Sequence, residues 1–279
     1  MNTTNTTTRE LEIAPGVCTP MLGLGTWPLV GEEAADSVAR GIANGYRHID
    51  TAEKYGNEDA IGEGIRRSGI ARDDLWVTSK LSLPGHSRAG AIHSYDAALG
   101  RMGLECLDLY LIHWPNPQLG GYVEACRGLQ DLVDAGRLRA WGVSNFKATH
   151  LDEVLAAGLK PAVNQIQVDP QHPQSSLLEA NAARGIATGA YSPLGRAGEF
   201  LSDPAITGPA TAHAKTPAQI VLRWHLDAGR LAVPKSASDA RQRENLDVFD
   251  FTLTAAERAG IDALDTGAGP RLDSDAYGH

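Results

Sequence analysis

The chain has 279 residues, of which 42% are hydrophobic and 21% are charged, with 30 glycines and 15 prolines. These proportions are close to those of average soluble globular proteins, and they exclude a collagen, a coiled coil and a chain that is disordered throughout. The 25 Lys and Arg residues against 34 Asp and Glu residues give a formal net charge of −9. We therefore expect no nucleic acid and no membrane partner, since both require a basic surface.

The first residues of the chain are polar and rich in threonine. They contain no apolar stretch typical of signal peptides, and no later run approaches the roughly 18 apolar residues of a membrane span. The three cysteines, Cys18, Cys106 and Cys126, are too widely spaced for a zinc site or a disulfide framework. We expect a cytoplasmic protein, a monomer, in which residues 1–9 are disordered.

Eight short runs rich in β-branched and apolar residues predict strands. Their bounds are 21–25, 46–50, 75–80, 107–113, 139–144, 162–167, 186–191 and 231–234. The run at 107–113 is apolar almost throughout, which is typical of parallel strands that are covered on both faces. A hairpin is predicted before them at 11–21, with Pro15 and Gly16 in its turn.

Segments with the helical spacing of apolar residues separate these strands, and each of them stops at a glycine. They cover residues 32–44, 59–68, 89–102, 124–135, 150–157, 176–184 and 217–228. Glycine readily adopts the left-handed conformation that ends a helix. The alternation predicts an α/β protein in which residues 1–279 form a single (β/α)8 barrel, a TIM barrel, behind the N-terminal β-hairpin. An extra C-terminal helix at 255–264 and a tail at 266–279 complete the prediction.

Several common catalytic motifs are absent from the sequence. No Gly-x-x-x-x-Gly-Lys-Ser/Thr phosphate loop and no His-Glu-x-x-His zinc helix occurs, and the nine histidines lack the spacing of metal ligands. Gly23 and Gly25 lack the third glycine of a dinucleotide-binding fingerprint. Phe146 stands where a nucleophile elbow requires glycine. We therefore expect neither a metal site nor a serine hydrolase.

Polar side chains end several predicted strands at the edge where barrels place their active sites. Asp50 and Lys80 end adjacent strands, so they can form an ion pair that keeps the lysine charged. Tyr55 follows closely, and we expect the ammonium to lower the pKa of its phenol from about 10. His113 ends the next strand and can orient a carbonyl oxygen. We expect the same edge to carry Ser144, Asn145, Gln165, Lys235 and Ser236.

This set of residues suits a reaction in which a carbonyl oxygen is protonated. Side chains cannot supply the hydride that such a reduction needs, so a nicotinamide or a flavin would be required. Two other interpretations stay open at this point. In the first, the Asp50–Lys80 pair is a purely structural ion pair that stabilises the fold. In the second, a lysine at the end of a barrel strand forms the Schiff base of a lyase.

Four blocks of the sequence resemble the aldo-keto reductase family. They are Gly41 to Glu58, Asp108 to Pro115, Gly142 to Phe146 and Val233 to Ser236. The blocks stand in the family's order, and the similarity extends over nearly the whole chain. Within the family, the sequence is most similar to bacterial members of the 2,5-diketo-D-gluconate reductase type, as the runs at 215–226 and 244–251 indicate.

The resemblance implies an enzyme that reduces small-molecule aldehydes and ketones, including dicarbonyls and keto sugars, by hydride transfer from NADPH. By matching position, Tyr55 would be the general acid, and Asp50 and Lys80 would tune it. His113 would orient the substrate carbonyl. The superfamily also contains proteins that bind NADPH as a sensor or scaffold, which stays open as a non-catalytic alternative.

The resemblance also implies which residues contact the nicotinamide half of NADPH. Ser144, Asn145 and Gln165 would hold the carboxamide, and Tyr191 would stack on the ring. A loop at 195–215 would cover the cofactor. Three further contacts are implied at Thr26, Ser192 and Leu194.

A second group of implied contacts lies at the adenosine half. Lys235, Ser236 and Arg241 match the residues that bind the 2′-phosphate, and cations with a hydroxyl at a helix start do form a phosphate site. This group favours NADPH over NADH. We interpret Arg243 as an ordinary exposed helix residue. The residues implied at the adenine are Glu244 and Asn245.

One segment departs from the family pattern. Where many members read Asn-Gln-x-Glu-x-His-Pro, this chain has Gln167 and Asp169 in place of the Glu and the His. We expect this exchange to alter the local packing or charge.

The substrate is only weakly indicated by the sequence. Trp27 and Trp114, and less directly Trp76, are candidates to line an apolar entrance, although aromatic residues in α/β proteins are more often part of the core. The tail is shorter than the long C-terminal loop that sets specificity in many family members. This shortness predicts an open site that accepts a broad range of carbonyl compounds.

Overall fold

The computed structural model describes residues 9–279, and its chain begins with an antiparallel hairpin of β1 (Glu10–Ala14) and β2 (Val17–Pro20). Most of the segment predicted to be disordered, residues 1–8, lies outside the described residues. Arg9 continues the hairpin, because its carbonyl accepts a hydrogen bond of 2.8 Å from Met21 N.

Eight parallel strands follow in sequence order and close into a barrel. They are β3 (Leu24–Gly25), β4 (His48–Asp50), β5 (Trp76–Leu81), β6 (Leu107–Ile112), β7 (Leu138–Ser144), β8 (Val163–Gln167), β9 (Ala187–Tyr191) and β10 (Leu231–Val233). All six residues of β5 and of β6 are buried, as parallel strands that are covered on both faces require. The predicted (β/α)8 fold with its N-terminal hairpin is confirmed.

Hydrogen bonds between the first and the last strand segments close the barrel. Gly23 N donates to Ala232 O at 2.9 Å. Gly25 N donates to Pro234 O at 3.0 Å. A Cβ at Gly25 would lie 2.7 Å from Val233 O, so only glycine allows the two backbones to approach this closely.

Ten helices surround the barrel within residues 9–279. They are α1 (Gly31–Asn44), α2 (Glu58–Ser68), α3 (Arg88–Met102), α4 (Tyr122–Asp134), α5 (Ala148–Ala156), α6 (Ser175–Ala183), α7 (Pro204–His213), α8 (Pro217–Asp227), α9 (Asp239–Leu246) and α10 (Ala255–Asp262). Gly45, Gly69 and Gly103 adopt positive φ directly after α1, α2 and α3, as predicted from their positions. Among the described residues, none of the helices has the length and apolar character that a membrane crossing requires.

Helix α7 lies inside the segment 195–215, for which the sequence predicts a covering loop. Asp203 caps this helix by accepting a hydrogen bond of 2.8 Å from Ala205 N, and Pro204 occupies its first position. The sequence pattern hides the helix because Gly208 and Pro209 lie in its interior, where both residue types usually destabilise helices. The loop prediction is therefore wrong for residues 204–213.

The tail (residues 266–279) folds back across the carboxyl ends of the barrel strands, an edge we call the mouth. Lys147, at the start of α5, donates hydrogen bonds to the carboxylates of Asp273 and Asp275 in the tail. Tyr277 packs edge-on against Trp114, with 4.8 Å between the ring centroids. The prediction of an open site is therefore wrong for this part of the mouth, which the tail covers.

The departure from the family pattern at Gln167 and Asp169 has its reason in the position of the tail. Gln167 Oε1 accepts a hydrogen bond of 3.1 Å from Arg271 N, and its Nε2 donates to Asp169 Oδ2 at 3.1 Å. Asp169 is completely buried, and its Oδ1 accepts a bond of 2.9 Å from His172 Nδ1. An amide at position 167 both donates and accepts, whereas a glutamate would place a second carboxylate beside Asp169.

We expect the substitution Gln167→Glu to lower the free energy of unfolding by about 1–3 kcal/mol, because it removes one buried hydrogen bond and sets two carboxylates against each other. It should also loosen the tail, so that trypsin cleaves faster after Arg271. Urea unfolding and timed proteolysis measure the two effects. The double variant Gln167→Glu/Asp169→Asn restores a donor opposite the new carboxylate and should recover most of the loss. An unchanged stability in the single variant would contradict this explanation.

Candidate active site

A buried ion pair lies at the mouth of the barrel, where β4 and β5 end. Lys80 Nζ donates to Asp50 Oδ1 at 2.6 Å and to Thr51 O at 2.9 Å. Burial alone would lower the pKa of Lys80, but the Asp50 carboxylate and the Tyr55 phenol together raise it above its ordinary value. The lysine, whose surface is only 1% exposed, therefore stays charged, which makes it a poor nucleophile for Schiff-base chemistry.

Tyr55 lies beside this pair, at the end of the single helical turn Glu53–Tyr55 that follows β4. The Lys80 ammonium is 5.4 Å from the centroid of the phenol ring. Burial raises the pKa of Tyr55 more than the ammonium lowers it, so the net shift is upward. The expectation of a lowered pKa is therefore wrong, since sequence spacing reveals the cation but not the extent of burial. The phenol keeps its proton at neutral pH and is available as a proton donor.

His113 completes the group directly after β6. Its ring contacts that of Tyr55 edge-on, with 5.7 Å between the centroids. Burial lowers the pKa of His113 well below its ordinary value, and the nearby cations Lys80 and Lys54 act in the same direction. The imidazole is therefore neutral and carries one N–H donor. The four residues predicted as catalytic from the sequence thus lie together at one place in the mouth.

The residues implied at the nicotinamide form a connected group beside the ion pair. Gln165 Nε2 donates to Asp50 Oδ2 at 2.7 Å, and Ser144 Oγ donates to Gln165 O at 2.7 Å. Asn145 Nδ2 donates to Ser144 Oγ at 3.1 Å, and Asn145 Oδ1 accepts a bond of 2.8 Å from the Tyr191 hydroxyl. Gln165 Oε1 has no hydrogen-bond partner among the described residues. This oxygen is left as an acceptor for a ligand.

Thr26 joins the same group through the backbone of Asp50. Its N and its Oγ1 both donate to Asp50 O, at 3.1 Å and 3.0 Å. Thr26 is buried, and its two hydrogen bonds help to fix the backbone of Asp50 from the end of the neighbouring strand.

The residues implied at the 2′-phosphate lie at the end of β10 and the start of α9. Lys235 and Arg241 are both exposed, and neither forms an ion pair within residues 9–279. Ser236 is buried, and its Oγ donates to Ser238 O at 3.2 Å. By contrast, Arg243 on the same helix binds Asp239 at 3.0 Å. Two unpaired cations next to a helix N-terminus form a site suited to a phosphate group.

The residues implied at the adenine are held by neighbouring helices. Glu244 Oε1 accepts a hydrogen bond of 2.7 Å from Thr216 Oγ1, at the start of α8. Asn245 is buried, so its side chain is less accessible than the resemblance implies.

The segment after β9 crosses the mouth in an unusual backbone conformation. Ser192, Arg196 and Ala197 all adopt positive φ, between 48° and 63°, which is rare for residues with side chains. Leu194 is half-buried and packs against the core. The Arg196 guanidinium lies 4.7 Å from the ring centroid of Trp27. This contact joins the segment to the loop that follows β3.

The three tryptophans predicted to line the entrance lie in different environments. Trp27 is 45% exposed at the mouth, whereas Trp114 is only 4% exposed, because Tyr277 and His279 of the tail pack over it. Trp76 begins β5 and is therefore at the opposite end of that strand from Lys80, so its assignment to the entrance is wrong.

Two tail residues at the site, Tyr277 and His279, are absent from the sequence-based candidates. His279 Nε2 lies 3.2 Å from His113 Nδ1, although the two residues are 166 positions apart in the sequence. No local pattern signals such a contact. The only hint is that two aromatic rings occur within the last three residues of a tail that has no other aromatic residue.

The barrel agrees with comparisons to known proteins. A sequence model of the aldo/keto reductase family matches residues 19–266. Morphine 6-dehydrogenase of Pseudomonas putida is 44% identical over 265 residues, which are 90% of each chain. The 2,5-diketo-D-gluconic acid reductase B of a Corynebacterium species is 43% identical over 246 residues, covering 88% of this chain and 89% of the relative.

Solved structures show the same similarity. An aldo/keto reductase from Brucella melitensis has a TM-score of 0.88 and 40% identity, covering 92% of this chain and 100% of the other. An aldo-keto reductase of Bombyx mori in complex with NADP has a TM-score of 0.88 and 33% identity, covering 94% of each chain. The chain is therefore a member of the aldo/keto reductase family.

Proposed function

We propose that this chain reduces aldehydes and ketones to alcohols with NADPH, and that Tyr55 is the general acid. The observation that supports this most directly is the convergence of a protonated phenol, a charged buried ammonium and a neutral imidazole at one place in the barrel mouth. Together these groups suit the protonation of a carbonyl oxygen as it gains negative charge.

The residues present fit NADPH at both of its ends. Gln165 Oε1 is a free acceptor beside the ion pair, which suits the carboxamide N–H of a nicotinamide. Lys235 and Arg241 are exposed cations without ion-pair partners in the described chain, which suits the 2′-phosphate. The Bombyx mori neighbour contains NADP, and that supports the same cofactor here. Bound NADPH supplies the hydride that no side chain can provide.

Tyr55 provides the proton in the proposed reaction. Its raised pKa keeps the phenol protonated at neutral pH until a carbonyl oxygen becomes basic enough to accept the proton. When the proton has left, the Lys80 ammonium stabilises the phenolate, since the two groups are close and largely shielded from water. Asp50 keeps Lys80 charged and fixes its position throughout.

His113 orients the substrate in the same proposal. A neutral imidazole has one N–H donor, which can bind the carbonyl oxygen without competing for the proton of Tyr55. Trp27 lies at the exposed side of the mouth and offers an apolar surface to the rest of the substrate. The diketo-acid reductase among the relatives supports dicarbonyls and keto sugars as the first substrates to test.

The proposed function is tested by following the absorbance of NADPH with a panel of aldehydes, dicarbonyls and keto sugars. Oxidation of NADPH above the background rate, with the alcohol identified as product, is the expected result. If none of the panel is reduced while NADPH still binds, the chain is a non-catalytic NADPH-binding protein and the proposal is wrong.

The substitution Tyr55→Phe removes only the phenolic hydroxyl. We expect kcat to fall by about 100- to 10,000-fold, because the proton then has no positioned donor. The Kd of NADPH, measured by fluorescence titration, should stay the same. Turnover within a few-fold of the unsubstituted protein would show that another group donates the proton.

The double variant Lys235→Ala/Arg241→Ala tests the phosphate site. We expect the Kd of NADPH to rise by about 10- to 1,000-fold, since one or two charge-assisted hydrogen bonds are lost, while that of NADH changes little. Arg243→Ala is the matched control, because this arginine is exposed on the same helix but binds Asp239. Equal losses for the two cofactors would rule out a 2′-phosphate at this position.

A further inference from the structure

His279 is held at the mouth from several sides. Its Nε2 lies 3.2 Å from His113 Nδ1, and the two rings meet edge-on with centroids 4.6 Å apart. Its main-chain oxygen accepts a hydrogen bond of 3.0 Å from Leu83 N. The preceding residue is Gly278, where a Cβ would overlap the side chain of Asn116. These contacts fix the imidazole of His279 against the ring of His113.

The two imidazoles share one proton between their facing nitrogens. Both rings are neutral at pH 7: burial lowers the pKa of His279 to about 4 and that of His113 well below its ordinary value. Each neutral ring has one N–H and one lone pair, so one ring donates and the other accepts. The direction of this bond decides which nitrogen of His113 carries its hydrogen.

The surroundings of His279 determine the direction of the hydrogen bond between the two imidazoles. Its other nitrogen, Nδ1, is buried and has no hydrogen-bond partner. A hydrogen on that nitrogen would be a buried donor without an acceptor, whereas a hydrogen on Nε2 leaves only a lone pair unsatisfied. Buried N–H groups without partners are the rarer of the two cases. His279 therefore carries its hydrogen on Nε2 and donates it to His113 Nδ1.

We propose that His279 is a positioning residue which, by donating to His113 Nδ1, holds His113 in the tautomer with its hydrogen on Nε2. This nitrogen forms no hydrogen bond with the described residues, so its N–H is free to bind the oxygen of a substrate carbonyl. The inference rests on the proposed carbonyl reduction, in which His113 must act as a donor. Without a donor at Nδ1, the hydrogen of His113 would distribute over both nitrogens.

The tautomer is measured by nitrogen NMR of the protein labelled with 15N-histidine, in its NADPH complex, with His113→Asn used to assign the signals. We expect the hydrogen of His113 on Nε2. His279→Glu replaces the donor with an acceptor and should move that hydrogen to Nδ1. If His113 carries its hydrogen on Nδ1 in the unsubstituted protein, or if His279→Glu changes nothing, the inference is wrong.

Kinetics of three variants separate positioning from other roles. His279→Ala should lower kcat by about 10- to 100-fold, the usual effect of removing a group that orients a functional histidine. His279→Gln keeps an N–H donor at a similar distance and should restore most of this loss. His93→Ala, at an exposed histidine of α3, is the control and should leave kcat unchanged.

A different result would identify His279 as an obstruction. If His279→Ala lowers the KM for the carbonyl compound and leaves kcat unchanged, the side chain only occupies space that the substrate needs, and the inference is overturned. The NMR readout does not depend on turnover. If the protein reduces no carbonyl compound, only the proposed function is refuted. The tautomer of His113 then still tests whether His279 positions it.

Discussion

The ion pair between Lys80 and Asp50 is the interaction on which the site depends. An ammonium this deeply buried is stable only because a carboxylate and the Thr51 carbonyl accept its hydrogens. The same carboxylate binds Gln165, and the backbone carbonyl of Asp50 binds Thr26. One residue therefore links the charged centre to the strand ends on both sides of it. The short distances between parallel strands in a closed barrel make this arrangement possible.

The charge of the chain is unevenly distributed around this centre. The net charge of −9 comes from carboxylates that lie mostly on the outer helices and in the tail. In the tail, Asp273 and Asp275 are used to bind Lys147, which places the tail over the mouth. Lys235 and Arg241 have no such partners in the described part of the chain. An acidic protein thus offers a small basic site, which suits one nucleotide and not a polymer of nucleotides.

The barrel and its charged centre are predictable from the sequence because the signals are local. Strand ends and glycine stops give the order of the elements, and that order alone brings Asp50 next to Lys80. Contacts between residues far apart in the sequence cannot be predicted in this way. Nothing near His279 predicts its contact with His113, and the raised pKa of Tyr55 depends on burial by distant segments. The exchange at Gln167 becomes understandable only when Arg271 is found beside it. These properties arise from tertiary packing, which no short sequence pattern encodes.

The most direct measurement compares Lys80→Met, Asp50→Asn and the double variant for both stability and carbonyl reduction. Each single change leaves one buried polar partner unsatisfied, and we expect the free energy of unfolding to fall by about 3–5 kcal/mol. The double variant removes both charges and should regain most of this stability. Its reduction of carbonyl compounds should nevertheless stay at least about 100-fold below that of the unsubstituted protein, because the phenolate of Tyr55 has lost its cation. A double variant with full activity would show that the ion pair only holds the fold.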